Sequence, residues 1–112
     1  VAARGNFKKI KKSFPNSKVF KDAAELLYEH DYDILVELIG GEDGISKKLI
    51  FNALKNKKHV VTANKALVSK YWKEIIDLTK TYGCSLKYEA AVAGGIPVIK
   101  ILNEFCIQIY AN

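Results

Sequence analysis

The sequence has few cysteines, a single arginine and no long apolar run, and each shortage excludes a class of protein. Its 112 residues include two cysteines, Cys84 and Cys106, and neither lies in a Cys-x-x-Cys pair. Two cysteines are too few for a disulfide framework, so we expect reduced thiols, a cytoplasmic location and side chains that pack as small apolar groups. No apolar run approaches the roughly 20 residues that cross a bilayer, so we expect no membrane partner.

The positive charge of the chain comes almost entirely from lysine. The formal net charge is +6, and Arg4 is the only arginine. Four lysines form a dense cluster among apolar side chains: Lys8, Lys9, Lys11 and Lys12. Such a cluster could bind a phosphate backbone, but proteins that read nucleic-acid sequence rely on the bidentate fork of arginine. We therefore favour a solvated, lysine-rich helix face or loop and expect no nucleic-acid partner.

Strand and helix signals alternate along the chain. Hydrophobic residues make up 49% of the sequence and charged residues 27%, which is typical of a globular domain. Nearly continuous apolar or β-branched runs predict strands at Val1–Ala3, Ile34–Ile39, His59–Thr62 and Ser85–Glu89. Apolar residues at helical spacing predict helices from Ile45 to the basic turn Lys55–Lys58, from Trp72 to Gly83, and over Val98–Phe105.

The spacing of these elements predicts an α/β fold. Connections long enough to hold a helix require parallel pairing and right-handed crossovers. We expect an incomplete doubly wound, Rossmann-type parallel sheet with flanking helices. Val1–Ala3 is typical of the tail of a strand, so an upstream segment is expected. Two weaker signals are a short strand at Lys18–Phe20 and a helix over Ala23–Glu29, which Asp22 and Glu25 would open as a capping box.

Small or polar residues follow three of the predicted strands. They are Gly40-Gly41, Thr62–Lys65 and Glu89–Ala91. In an open α/β sheet, ligands bind outside the carboxyl ends of the strands, where glycine permits close approach and helix N-termini favour anions. Each segment alone is also compatible with a tight turn. Lys65 would place a positive charge in the first turn of a helix, where the helix dipole is slightly unfavourable to cations. This position favours a functional role for Lys65.

The other candidate groups carry weaker signals. Glu89 is either a carboxylate satisfied by backbone amides at the edge of the core or a ligand for a hard cation together with loop carbonyls. His30 and His59 have no metal-type neighbours at a suggestive spacing and are expected to be structural. The sequence contains no zinc constellation and no arrangement typical of a serine or cysteine nucleophile.

Three motifs together resemble homoserine dehydrogenase. They are VELIGG at residues 36–41, HVVTANKALV at 59–68 and YEAAVAGGIPVI at 88–99. The motifs stand in the order and spacing of that family and cover roughly residues 33–103, whereas residues 1–32 match loosely. Three linked motifs are far more specific than one glycine signature.

The resemblance implies an NAD(P)-dependent oxidoreductase that interconverts L-homoserine and L-aspartate 4-semialdehyde, on the pathway to threonine, methionine and isoleucine. It implies that Lys65 lies near the nicotinamide and the small-molecule substrate, and that Gly40, Gly41 and Asn64 contribute to the cofactor site. Arg4 stands near the place where NAD enzymes carry the acidic residue that binds a ribose 2′-hydroxyl. A basic residue there suits the 2′-phosphate of NADP.

The resemblance also implies a sodium ion. Glu89 would supply a side-chain ligand, and the backbone carbonyls of Val92, Gly94 and Ile96 would complete the site. The ion would brace the junction between the nucleotide-binding domain and the substrate domain. Residues 1–97 would then be a partial NAD(P)-binding domain, and residues 98–112 the start of the substrate and dimerisation domain.

Several parts of the family pattern are missing from this sequence. The first strand with its Gly-x-Gly-x-x-Gly loop is absent, as is the substrate domain with its acid–base groups. We therefore expect no catalytic residue in this fragment, with Lys65 lying near the nicotinamide and the substrate, and we expect the chain to be inert alone. The family is usually homodimeric. Loss of a normally central strand should leave unpaired backbone edges. The alternatives are a non-catalytic nucleotide-binding remnant or, less favoured, a small basic nucleic-acid-binding protein.

Overall fold

The computed structural model describes residues 2–3, 7–88 and 107–111 and has one parallel sheet of five strands. The strands are β1 (Ala2–Ala3), β2 (Ile34–Leu38), β3 (His59–Thr62), β4 (Leu86–Tyr88) and β5 (Ile107–Ala111). Their order across the sheet is β1-β5-β2-β3-β4, and every neighbouring pair is parallel. The predicted α/β fold with a parallel sheet is confirmed.

The helices connect the strands and cover the sheet. They are α1 (Phe7–Ser13), a 3-10 helix (Ala23–Tyr28), α2 (Ile45–Lys55), α3 (Lys65–Lys70) and α4 (Trp72–Tyr82). α2 packs on β2 and β3 and also contacts the 3-10 helix and α4, so these elements form one layer. The core between this layer and the sheet is apolar and is centred on Leu26, Leu35, Ile50, Leu54, Val60, Leu67 and Ile75.

The last strand in the sequence lies in the interior of the sheet. β5 pairs with β2 from Ile34↔Ile107 to Leu38↔Ala111, and with β1 at Ala2↔Tyr110. A doubly wound sheet places its first strand between its second and fourth, and β5 occupies the corresponding interior position here. The expectation of unpaired edges is therefore wrong where β1 and β2 face β5. The domain division after residue 97 stays a prediction, and Val98–Phe105 lies outside the described residues.

The N-terminal region differs from two predictions. Of the predicted strand Lys18–Phe20, Phe20 alone forms a bridge, with Ala2. The predicted helix Ala23–Glu29 is a shorter 3-10 helix that ends at Tyr28. Asp22 Oδ1 accepts a hydrogen bond from the amide of Ala24 at 3.0 Å, so Asp22 caps the start of this helix as predicted.

The region after β3 holds two helices where the sequence pattern indicated one beginning near Trp72. Tyr71 ends α3 and precedes α4, and its φ and ψ of −113° and 25° interrupt the helical backbone. Its amide still donates to the carbonyl of Leu67 at 3.0 Å, and its carbonyl accepts from the amide of Ile75 at 2.9 Å. Gly83 ends α4 with a φ of 67°, as predicted.

Candidate functional site

The segments that follow β2 and β3 meet at the carboxyl edge of the sheet. All strands are parallel, so their carboxyl ends lie along one edge. The Asn64 Nδ2 group donates to the carbonyl of Gly41 at 2.6 Å. Two of the segments that the sequence singled out are therefore in direct contact.

A buried carboxylate lies beneath these two segments. Glu37, on β2, has 0% of its surface exposed. Its Oε1 accepts from the amides of Ile39 at 2.6 Å and Gly40 at 3.1 Å. Its Oε2 accepts from the hydroxyl of Thr62 at 2.6 Å. Ser46 Oγ, at 3.4 Å from Oε1, shares its hydroxyl with the carbonyl of Gly40 at 3.1 Å.

Strand register explains why Glu37 and Thr62 meet. The two residues are partners in the β2–β3 ladder, one step of two residues beyond the buried pair Leu35 and Val60. Alternate residues of a strand face the same side, so both polar side chains face α2 where the apolar core ends. Gly44 offers no side chain to cap α2, and the carboxylate of Glu37 provides negative charge beside the first turn of that helix.

Asn64 extends this arrangement to α3. Its amide donates to Thr62 Oγ1 at 3.0 Å, and its Oδ1 accepts from the amide of Leu67 at 3.2 Å, which caps α3. The side chain is 4% exposed. Glu37, Ser46, Thr62 and Asn64 form what we call the inner network. Both ends of the Asn64 side chain have partners within the chain. A direct contact of Asn64 with a cofactor stays a prediction.

The two glycines after β2 have backbone conformations that favour glycine. Gly40 and Gly41 have φ of 91° and 90°, in the left-handed region. Apart from each glycine and its two chain neighbours, no described atom lies within 4 Å of a Cβ built on Gly40, and the carbonyl oxygen of Asp43 lies at 4.0 Å from that of Gly41. Backbone shape thus accounts for both glycines, and both are exposed within the part of the chain that the structure describes.

Lys65 follows Asn64 as the first residue of α3 and is exposed. Its amide donates to the carbonyl of Ala63 at 3.1 Å. Within residues 2–3, 7–88 and 107–111, the structure records no hydrogen bond or ion pair for its ammonium group. The edge therefore presents a cation beside a glycine turn, over a buried polar network.

The sequence that forms this site matches the sequence model of an enzyme family. The sequence model of the family described as homoserine dehydrogenase, NAD binding domain, matches residues 1–89. The chain belongs to the homoserine dehydrogenase family. A relative from Neisseria gonorrhoeae is 45% identical over 96 residues, which are 86% of this chain and 22% of that protein.

Solved homoserine dehydrogenases share the fold. The crystal structure of the Thiobacillus denitrificans enzyme is 41% identical, with a TM-score of 0.65, over 93% of this chain and 24% of that one. A hyperthermophilic archaeal homoserine dehydrogenase in complex with NADPH is 26% identical, with a TM-score of 0.58, over 88% of this chain and 34% of that one. The chain thus spans about a third or less of the length of these relatives.

A second group of charged side chains holds the outer part of the loop that follows β2 in this homoserine dehydrogenase domain. Lys70 Nζ donates to Asp43 Oδ2 at 2.8 Å and lies 3.5 Å from Glu42 Oε2, and the hydroxyl of Tyr71 donates to Asp43 Oδ1. We call Asp43, Lys70 and Tyr71 the outer cluster. Two hydrogen bonds lower the pKa of Asp43, the larger effect coming from Lys70 and the smaller from Tyr71. The same bond to Asp43 raises the pKa of Lys70.

Some residues predicted for a homoserine dehydrogenase site lie outside the described residues. They are Arg4, Glu89, Val92, Gly94 and Ile96. Within the described ranges, no group of three or more His, Cys, Asp or Glu side chains could hold a metal ion. No helix in that same part of the chain is both long and apolar enough to span a membrane.

The structure describes both histidines and one of the two cysteines. His30 and His59 are exposed, and His59 Nδ1 accepts from the amide of Ser85 at 3.1 Å, a local structural contact. Cys84 packs against the core with its Sγ 3.5 Å from the carbonyl oxygen of Leu54, and burial raises the pKa of its thiol. Cys84 therefore behaves as the predicted small apolar group, and Cys106 lies outside the described residues.

The sequence singled out Asn64 and the segment Thr62–Lys65 of the inner network, but it did not predict Glu37, Ser46 or the outer cluster. A signal for Glu37 was present, because a carboxylate inside the apolar run Ile34–Ile39 has to find partners if the run is buried. Asp43 and Lys70 carried no comparable signal, since exposed charges are common on helices and loops.

Proposed function

We propose that this chain contributes to an NAD(P)-dependent homoserine dehydrogenase that interconverts L-homoserine and L-aspartate 4-semialdehyde, a reaction in the biosynthesis of threonine, methionine and isoleucine. The observation that carries the proposal is the meeting of Gly40, Gly41 and Lys65 at the carboxyl edge of a parallel sheet in a chain of this family. That edge is where open α/β sheets bind nucleotides.

The described residues fit a nicotinamide nucleotide. The exposed backbone of Gly40 and Gly41 permits close approach by a ligand. Lys65 presents an ammonium group beside it, suited to a polar or negatively charged part of the cofactor or substrate. When bound, the cofactor supplies hydride transfer. The chain's own residues bind and orient the nucleotide, and Asn64 also holds Gly41 in place through its hydrogen bond to the Gly41 carbonyl.

We propose NADP as the preferred cofactor. Arg4 follows β1, where an acidic residue would bind the 2′-hydroxyl of NAD, and the archaeal relative is in complex with NADPH. Replacing Arg4 with Glu should weaken NADPH binding and leave NADH binding unchanged or improved. Calorimetric titration of both nucleotides measures this, and equal NADPH affinity in the wild type and the variant would contradict it.

A sodium ion at Glu89 and the carbonyls of Val92, Gly94 and Ile96 rests on the family resemblance and on the oxygen ligands that hard cations prefer. Sodium chloride should therefore raise the melting temperature more than choline chloride at equal ionic strength. Replacing Glu89 with Gln should remove the difference between the two salts.

The activity of this chain alone is proposed to be nil, because it spans 22% of the length of its Neisseria gonorrhoeae relative. A non-catalytic nucleotide-binding role is the second candidate, because the glycine turn and Lys65 at the sheet edge suit nucleotide binding with or without catalysis. A cytoplasmic location and a family-type homodimer remain predictions.

Titration of the whole chain with NADPH, with and without glutamine at Lys8, Lys9, Lys11 and Lys12, tests the proposal. NADPH binding that survives these substitutions supports a nucleotide site at the sheet edge. Binding of duplex DNA that depends on those lysines, without NADPH binding, would favour a nucleic-acid-binding protein instead. Homoserine oxidation by the isolated chain would contradict the proposed inertness.

A further inference from the structure

Glu37 is a fully buried carboxylate at the end of a strand, and the proposed chemistry does not use it. We propose that Glu37 is the positioning residue that sets the Gly40–Gly41 loop and the Asn64–Lys65 segment in one fixed arrangement. The proposal rests on the proposed function, in which the nicotinamide nucleotide binds at that edge. Glu37 itself lies beneath the edge and acts through its neighbours.

The hydrogen bonds around Glu37 match an acceptor. A buried carboxylate is stable only when donors surround it, and the amides of Ile39 and Gly40 and the hydroxyl of Thr62 all donate to it at 3.1 Å or less. The two amides belong to the loop after β2, and Thr62 belongs to β3. One side chain therefore determines where both segments leave the sheet.

The contacts close into a ring. From Oε1 the path runs to the amide of Gly40 and along the backbone to Gly41, whose carbonyl accepts from Asn64 Nδ2 at 2.6 Å. From Asn64 its amide returns to Thr62 Oγ1 at 3.0 Å, and Thr62 returns to Oε2 at 2.6 Å. A closed ring fixes the distance between its two sides. Because Lys65 directly follows Asn64, the ring also fixes the point from which Lys65 extends.

Glutamine at position 37 weakens this ring with almost no change in shape. Thr62 Oγ1 already accepts from the amide of Asn64 and uses its one hydrogen on Oε2. An amide NH₂ in the place of Oε2 would leave that hydrogen without an acceptor. An amide NH₂ in the place of Oε1 would instead face the donors Ile39 N and Gly40 N. The second orientation sets donors against donors, whereas in the first the Thr62 hydroxyl accepts from the NH₂ through its second lone pair and its own hydrogen is left without an acceptor.

Four variants of the whole 112-residue chain test the proposal. Glu37→Gln weakens the ring and Thr62→Val breaks it, Thr62→Ser keeps the hydroxyl, and Glu74→Gln makes the same chemical change on the exposed surface of α4. Hydrogen exchange at the amides of Ile39, Gly40 and Asn64 reports on the ring. Exchange at the amides of Val60 and Ile75, which donate to Ser85 and Tyr71, reports on the rest of the fold.

We expect Glu37→Gln and Thr62→Val to lower protection of the ring amides by at least about tenfold, with no matching loss at Val60 and Ile75. NADPH affinity should fall in parallel by about tenfold, or about 1.4 kcal/mol. Thr62→Ser should restore both quantities and Glu74→Gln should change neither. Since Thr62→Val removes a single hydroxyl, it remains informative if Glu37→Gln does not fold.

Two results would overturn the positioning role. One is loss of protection spread evenly over ring and core amides. The other is unchanged NADPH affinity in a Thr62→Val variant whose ring amides have lost protection. If the wild-type chain binds no NADPH, the proposed nucleotide site fails in this chain, and the exchange data still decide whether Glu37 fixes the two segments.

Discussion

The loop after β2 is held at its two ends by carboxylates in opposite surroundings. Glu37 holds the beginning of the loop and is 0% exposed, whereas the side chain of Asp43 holds its outer part and is 57% exposed. Both accept short charged or polar hydrogen bonds from residues more than 20 positions away in the sequence. Similar bonds in different surroundings contribute very different amounts to stability.

Water explains the difference. When an exposed ion pair breaks, both charges are hydrated again, so such pairs contribute little and weaken with salt. When the acceptor of a buried network is removed, its donors lose their partner and cannot reach water. The inner network should therefore fix the loop, and the outer cluster should adjust it in a way that depends on pH and salt.

The largest expected effect follows removal of the Glu37 carboxylate. Glu37→Leu leaves the amides of Ile39 and Gly40 and the hydroxyl of Thr62 without an acceptor. The free energy of unfolding should fall by about 3 kcal/mol or more, measured by urea denaturation. Glu74→Leu on exposed α4 is the control and should stay within about 0.5 kcal/mol of wild type. A fall below about 1 kcal/mol for Glu37→Leu would show that burial does not distinguish the two carboxylates.

The inner network also depends on the position of β2 inside the sheet. β5 covers one edge of β2, with Ile109 opposite Val36 and Tyr110 opposite Glu37. Ile109→Pro removes an amide from the interior of a ladder and should lower the free energy of unfolding by about 2 to 3 kcal/mol. Ile109→Val, which keeps the amide, is the matched control. Equal urea midpoints for the two variants would argue against β5 as an interior strand.

A smaller effect is expected when one donor of the network is removed. Thr62→Val deletes the hydroxyl that donates to Glu37 Oε2 and accepts from Asn64 N. Hydrogen bonds to charged groups contribute about 1.5 to 3 kcal/mol, so the loss should fall in that range. Thr62→Ser should recover most of it in the same urea experiment. If serine and valine are equally destabilising, the lost methyl packing, and not the hydrogen bond, accounts for the change.

The smallest effect is expected in the outer cluster. The hydrogen bonds from Lys70 and Tyr71 lower the pKa of Asp43 in the folded chain. A lowered folded-state pKa contributes stability above the unfolded-state pKa, and this contribution disappears as pH falls through the folded-state pKa. Asp43→Asn should therefore lower the urea midpoint slightly at pH 7, and less at pH values well below about 3.9.

High salt provides a second check on Asp43. The difference between Asp43→Asn and wild type should shrink in about 1 M sodium chloride, where the Debye length is about 3 Å. Thr62→Val should keep its full effect under the same conditions because its contacts are buried. A salt-sensitive Thr62→Val, or a salt-insensitive Asp43→Asn, would reverse the comparison.

Local patterns in the sequence were sufficient to predict β2, β3 and the end of α4. An apolar run, a β-branched run and a glycine at a helix C-terminus each act through neighbouring residues. The position of β5 could not be predicted in this way, because it depends on backbone pairing with strands more than 70 residues earlier. The break at Tyr71 lies where the same side chain donates to Asp43, 28 positions away.

The candidate site was predictable to a similar extent. Gly40, Gly41 and Lys65 stand next to strand ends, so their shared edge follows from parallel pairing alone. Their mutual arrangement depends on Glu37 and Thr62, which lie 25 positions apart and meet only when the strand register is known. The outer cluster needs the α3–α4 break as well, and no local pattern predicts that.

The central claim is that a nicotinamide nucleotide binds at the edge that the inner network organises. An NMR titration of the whole chain with NADPH, read at individual backbone amides, tests it most directly. We expect the amides of Gly40, Gly41 and Lys65 to shift first and to saturate together, while those of Lys8–Lys12 on α1 remain in place. Saturable shifts at Lys8–Lys12 with none at the glycines or Lys65 would contradict the account.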